Sequence, residues 1–297
     1  MENQFKLPDE QIGSESSARV SDLIEEIRAD IDFELDDAVT DIVRDLPEEY
    51  FQRMTREHQV GHLKGLIASR ICELNGELFL PSADGSQIAV LGRESYRGQL
   101  ANILSELPGK KTRLVGANIY TAHSHGFILD VFEFETDQKP LDASFSAEFV
   151  EKLAQKTASD TEAVKEFLSR IRTTSAKSPD VEKLARFFHA YEQVGIDRPV
   201  VVDRGHDDAK LSNIVVAIHA QNEKLTFQRT SESLASISLD IEQAELVVVR
   251  FEKATNEPDN ARTDKAILMN FLVSGDDVEP LEINAWINGL NSIVAQQ

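Results

Sequence analysis

The sequence predicts an α+β protein in which an N-terminal helical segment is followed by two small sandwich domains. Three observations lead there. Apolar residues recur at helical spacing before about residue 73, strand-like alternation begins after it, and the order strand, helix, strand, strand, helix then occurs twice. The predicted divisions are a disordered tail over 1–17, a helical segment over 18–72, a first sandwich over 73–175, a helix and linker over 176–208, and a second sandwich over 209–297.

From Ala18 to Asp45 the apolar positions Val20, Leu23, Ile24, Ile27, Ile31, Leu35, Val39, Ile42 and Val43 step by three and four, the mark of a long amphipathic helix. Pro47 fits the first turn of a helix and not its interior. Thr55 is placed to cap a further helix carrying Val60, Leu63, Leu66, Ile67 and Ile71.

The first sandwich opens with short strands over Glu77 to Leu80 and Gln87 to Leu91, joined by the turn Pro81 to Gly85. A helix then aligns Tyr96, Leu100, Ile103, Leu104 and Leu107, and Pro108-Gly109 stops it. Leu114 to Phe134 reads as a hairpin. Val115, Ala117 and Ile119 alternate on its first strand; Phe127, Leu129 and Val131 share one face of the second, with Ile128, Phe132 and Phe134 on the other. A helical stretch begins near Ser146 and runs through Phe149, Leu153, Val164, Phe167, Leu168 and Ile171, and another starts near Asp180.

The second cycle comprises a strand over Asn213 to His219, a helix with Phe227, Leu234 and Ile237, strands over Ala244 to Phe251 and Ala266 to Val273, and a closing helix that buries Ile283, Trp286, Leu290, Ile293 and Val294. A βαββα order repeated in this way is that of ferredoxin-like sandwiches.

Composition narrows the function. With 31 basic against 52 acidic residues and a formal charge of -21, neither nucleic acid nor an anionic membrane is the expected partner, since both are bound largely through Lys and Arg. Cys72 is the single cysteine, so an intrachain disulfide and a Cys-rich zinc site are excluded and a reducing cytoplasm is expected. The polar N-terminus has no run long enough for a signal peptide or membrane helix. No Gly-x-Gly-x-x-Gly joins a strand to a helix, so NAD has no expected site and no cofactor is assigned to this chain.

Sharper motifs have plainer readings. His58 and His62 stand i, i+4, but Gln59 replaces the glutamate of a metalloprotease helix, which leaves ordinary surface histidines. His123 and His125 with Asp130 lack a convincing further metal ligand, and His206-Asp207-Asp208 reads as polar linker. Neither a metal site nor a catalytic residue is assigned. Trp286 is expected in the core.

Tyr96-Arg97-Gly98-Gln99-Leu100-Ala101, followed by Ile103-Leu104, resembles the loop and helix start of ACT domains, where Asp-x-Pro-Gly-Leu-Leu is common. Ala117, Ile119, Tyr120, Thr121, Gly126, Leu129, Asp130, Phe132 and Glu133 are similar to the ACT hairpins of the bacterial uridylyltransferase/uridylyl-removing enzyme and of the large bacterial NAD-specific glutamate dehydrogenases. Leu46 to Phe51 with His62 to Leu66, and Ile214 to His219 with Leu239 to Val249, resemble the N-terminal region of the latter family. That resemblance implies two ACT-like domains in a non-catalytic regulatory and oligomerisation region, with NAD and catalysis of glutamate oxidation elsewhere in the family's full-length enzyme; a stand-alone amino-acid sensor acting on a partner enzyme is the alternative. It also implies an amino-acid effector at the loop Gly92 to Gly98, with Arg93 or Arg97 on its carboxylate, Gly98 allowing close approach and Asn118 adding a hydrogen bond. No Asp-x-Pro precedes Gly98 and Gln99 replaces the usual Leu, so a ligand-free, purely structural domain stays open beside it. The expected partners are such an effector and either further copies of the chain or a catalytic dehydrogenase region.

Overall fold

Local sequence explains most element boundaries in the computed structural model, which describes residues 21–26, 40, 43–44, 46–71, 76–93, 96–107, 113–122, 127–135, 145–172, 181–194, 200–208, 211–220, 222–250, 265–274, 286 and 289–290. The expected tail over 1–17, the hairpin tip with His123 and His125, Cys72 and most of the closing helix lie outside the described residues.

After a helical stretch at 21–26 come α1 (Glu48–Arg53) and α2 (Arg56–Ile71), with Pro47 as the N-cap of α1. Then follow β1 (Leu78–Pro81), β2 (Gln87–Arg93), α3 (Gln99–Glu106), β3 (Arg113–Ala122) and β4 (Phe127–Glu135). Three helices intervene: α4 (Ala147–Thr157), α5 (Thr161–Arg170) and, after the two-residue β5 (Ile171–Arg172), α6 (Val181–Gln193). The remainder is β6 (Val200–Asp208), β7 (Leu211–His219), α7 (Glu223–Ser236), β8 (Asp240–Arg250) and β9 (Lys265–Ser274).

Helices α4 and α5 are separate where the periodicity suggests one continuous stretch. Ala158 adopts a left-handed conformation (φ 53°) that ends α4, and the Asp160 carboxylate accepts from the Glu162 and Ala163 N–H groups to start α5.

Among the described residues the strands form one antiparallel sheet in the order β1-β2-β4-β3-β8-β9-β7-β6, with β5 against β8. The order is palindromic. β1-β2-α3-β3-β4 and β6-β7-α7-β8-β9 are two copies of one unit, each with its last strand inserted between the second and third, and they join where β3 pairs with β8. Val200–Asp208 is therefore the outer strand of the second unit and not a polar linker; pairing with β7 supplies an order that its own letters do not announce.

Helices cover both faces of this sheet, so the molecule has three layers. On one face α3 and α7 pack side by side over Ile128, Phe132, Phe134, Ile267, Met269 and Phe271, with Trp286 and Leu290 in the same core, as expected for Trp286. On the other, 21–26, α1 and α2 cover the first unit through Leu23, Tyr50, Leu63 and Leu66. The helices α4, α5 and α6 cover the second unit through Leu153, Phe167, Phe187 and Phe188 against Val215, Val247 and Leu268. The last three thus serve the second unit's sheet, whereas the sequence grouping places α4 and α5 in the first sandwich. Periodicity identifies a buried face but not the sheet that receives it. Double coverage also explains why all but the last residue of β4 are buried.

Candidate functional site

The loop before α3 is built around Gly98. Its φ of +84° is a left-handed conformation open to glycine at little cost, and as N-cap it offers no side chain to the first turn of α3. That turn carries no acidic residue, and its first N–H, that of Gln99, is taken by the Tyr96 carbonyl (3.0 Å), which leaves the following N–H groups and the positive dipole end toward the space before it. This space is a cleft of about 40 Å³ between the two units, lined by Arg97, Gly98, Asp130, Ser231, Ala235 and Asp240 among others. It has room for roughly one water molecule.

Two features give the cleft its chemistry. Asp130 lies on β4 facing α3 and α7, is 2% exposed, and its Oδ1 has no hydrogen-bond partner among the described residues. Burial, then the neighbouring Glu77 carboxylate, push its acid well above the usual aspartate range. At the mouth, Arg97 grips Asp240 with a two-pronged bridge, Nε to Oδ1 and Nη2 to Oδ2, both at 3.0 Å. Arg97 belongs to the loop of one unit and Asp240 is the first residue of β8 in the other, so the bridge ties the units across the opening. Beside them the buried Gln99 side chain donates to Glu77 Oε1 (3.2 Å) and accepts from the Tyr96 N–H (3.4 Å).

The corresponding junction in the second unit is filled. Asn222 caps α7 by accepting from the Leu225 N–H at 2.9 Å, and Glu223 in the first turn forms a buried ion pair with Lys265. Lys224 donates to the Leu107 carbonyl just past α3. On β9 the residues facing α3 and α7 are Ile267, Met269, Phe271 and Val273, with no counterpart of Asp130. The two related junctions therefore differ: one is uncapped with an orphaned acid, the other capped and neutralised from within.

The sequence candidates separate accordingly. Arg97 and Gly98 line the cleft, with the Arg97 guanidinium already engaged by Asp240, and the Arg93 side chain lies outside the described residues. Asn118 is on the opposite face of the sheet, because Ala117 and Ile119 on either side of it point into the α3 and α7 core. There Asn118 Oδ1 accepts from Arg53, and its register partner Glu245 takes Arg53 at 2.8 Å and Lys183 at 2.9 Å. Burial works to raise the Glu245 acid, but Lys183 and Arg53 outweigh it and the net shift is downward. This cluster clamps α1 and α6 across the seam between the units.

His62 is not a surface histidine. It is 7% exposed and shares a hydrogen bond between Nδ1 and the Tyr50 hydroxyl (3.1 Å), while burial and then His58 lower its pKa to about 4. Among the described residues no group of three or more His, Cys, Asp and Glu is placed to hold a metal ion. His206, Asp207 and Asp208 lie at the end of β6. The residues that pattern reasoning missed are Arg53, Lys183, Asp240 and Glu245. Asp130 had a signal of its own, an acid between the apolar Phe127-Ile128-Leu129 and Val131-Phe132 of one strand.

No protein-family model matches the chain, and no curated protein is significantly similar to it in sequence. Among the described residues no helix is long and apolar enough to cross a membrane.

Proposed function

We propose that the chain is a non-catalytic regulatory module of two ACT-like, ferredoxin-like units, and that the cleft before α3 senses a small α-amino acid. The observation that carries this reading is Asp130, a buried acid with an unpartnered oxygen facing the space before an uncapped helix N-terminus. A zwitterion answers both needs, its carboxylate at the α3 N–H groups and its ammonium beside Asp130. A ligand larger than a water parts the Arg97–Asp240 bridge on entry, which frees the guanidinium for the carboxylate and alters the contact between the units.

The palindromic strand order supports the paired-module part of the proposal. The letters of the 114–134 hairpin favour, as its context, the N-terminal region of a large NAD-dependent glutamate dehydrogenase, where the module assembles with other copies or with the dehydrogenase region, which supplies NAD and catalysis. A stand-alone sensor acting on a partner enzyme is the second reading. A dehydrogenase frame continuous with or adjacent to this one, with NAD-dependent glutamate oxidation by its product, supports the first, and absence of that frame leaves the sensor.

The ligand is tested by thermal unfolding against a panel of amino acids. A ligand at a hundred times its Kd adds about 2.7 kcal/mol to the native state, a shift of several degrees. No shift with any amino acid at about 10 mM, well above an ordinary effector Kd, overturns the amino-acid reading.

A further inference from the structure

A second, larger cleft lies between α2 and the turn that joins β1 to β2. It encloses about 490 Å³, the size range of organic-ligand pockets. Glu57, His58, Gly61 and His62 of α2 form one wall, and the Pro81 to Asp84 turn forms the other. Leu80, Gln87 and Ala89 complete the lining. It lies on the opposite face of the sheet from the cleft before α3, since α2 packs with the core of that face.

Its polar groups are specific in kind. Gln87 is 7% exposed and its Oε1 has no hydrogen-bond partner among the described residues, although its backbone N–H is satisfied by Ser82 Oγ at 2.9 Å. An acceptor held this way invites a donor from a ligand. His62 lies across from it. Burial keeps the Tyr50 phenol protonated and the imidazole neutral, and the bond between the phenol and Nδ1 (3.1 Å) leaves Nε2 as the ring nitrogen for a ligand. The His58 and His62 rings lie nearly parallel, 13° apart in plane and 6.2 Å between centres, beside the apolar Leu80, Pro81 and Ala83.

Charge excludes one class of ligand. Asp84 stays ionised, its carboxyl lowered to about 2 by the Ser82 hydroxyl and the Ser86 N–H, and Glu57 adds a second exposed acid; no Lys or Arg is among the described lining residues. Phosphates and carboxylates are repelled. A flat, uncharged heterocycle that gives Gln87 a donor and meets His62 Nε2 with a neighbouring polar atom satisfies both side chains and stacks on imidazole.

We propose that this cleft binds a nucleoside, its base edge read by Gln87 and His62, independently of any ligand before α3. Equilibrium dialysis of the full chain against adenosine, cytidine and their 5′-monophosphates tests it. The expected result is nucleoside binding, with each monophosphate at least tenfold weaker. A Cβ at Gly61 meets nothing within 4 Å, so Gly61→Leu fills the cleft from the surface of α2 without a clash and is expected to abolish binding without lowering the melting temperature. Gln87→Leu is expected to weaken binding at least tenfold. Absence of binding by either nucleoside at about 5 mM overturns the proposal. So does binding that survives Gly61→Leu, or monophosphates bound as tightly as nucleosides.

Discussion

Replacing Glu245 with Gln strikes the seam between the two units. In the native protein one carboxylate answers two cations, Arg53 at 2.8 Å and Lys183 at 2.9 Å, and the three side chains are only 14%, 12% and 11% exposed. The amide keeps the shape and removes the charge, so both cations stay desolvated and lose the Glu245 anion. Breaking a buried pair this way costs roughly 3–5 kcal/mol, and partial exposure of the cluster favours the lower end, about 3 kcal/mol. That is a large share of an ordinary folding free energy of roughly 5–15 kcal/mol. Urea unfolding at pH 7 measures it directly. The pH dependence supplies a second check. Because the native state holds the Glu245 acid below its ordinary value, the stabilisation is complete above the unfolded glutamate pKa of about 4.3 and is lost as pH falls through the native value. The gap between the native protein and Glu245→Gln therefore narrows on acidification. A variant within about 0.5 kcal/mol of the native protein at pH 7, or a gap that widens toward acid, refutes the clamp.

Asp130 behaves in the opposite sense. Its raised acid means that folding favours the protonated form, so stability declines as pH rises from the unfolded aspartate pKa of about 3.9 toward the native one. Asp130→Asn removes that penalty, and its melting temperature is expected to gain on the native protein as pH rises above about 4; parallel profiles contradict the assignment. Gly98→Ala forces a side chain into φ +84° and is expected to cost about 1–2 kcal/mol in urea, although the nearest atom to the new Cβ, Ala235 Cβ, is a comfortable 4.0 Å away. Unchanged stability would mean that the loop relaxes to another conformation. Asp160→Ala leaves the Glu162 and Ala163 N–H groups of α5 without their side-chain acceptor, at an expected cost of about 1 kcal/mol, read by the same melts.

The strands were legible where β-branched and aromatic residues run together, as in Ile214 to Ile218 and Phe127 to Phe134. Strand β6 was not, because after its opening valines it turns to Asp203-Arg204-Gly205-His206-Asp207-Asp208, and an edge strand is held by its neighbour more than by its own apolar content. Helices were legible as periodic stripes, but nothing local told α4 to α6 to cover β7, β8 and β9. In the candidate site, Gly98 carried its own signal through the turn it requires. The alternation that puts Ala117 and Ile119 in one core already placed Asn118 on the other face, a consequence of strand parity that the resemblance to a known loop obscured. The bridge from Arg97 to Asp240 spans 143 positions, and no pattern in the sequence announces a contact at that separation.

Titration calorimetry with whichever amino acid most raises the melting temperature decides whether each chain holds a single zwitterion-sensing cleft. One ligand per chain is expected, since Glu223 and Lys265 fill the related junction. Asp130→Asn is expected to lose at least tenfold in affinity. Two ligands per chain, or undiminished affinity in that variant, would refute the cleft before α3 as the sensing site.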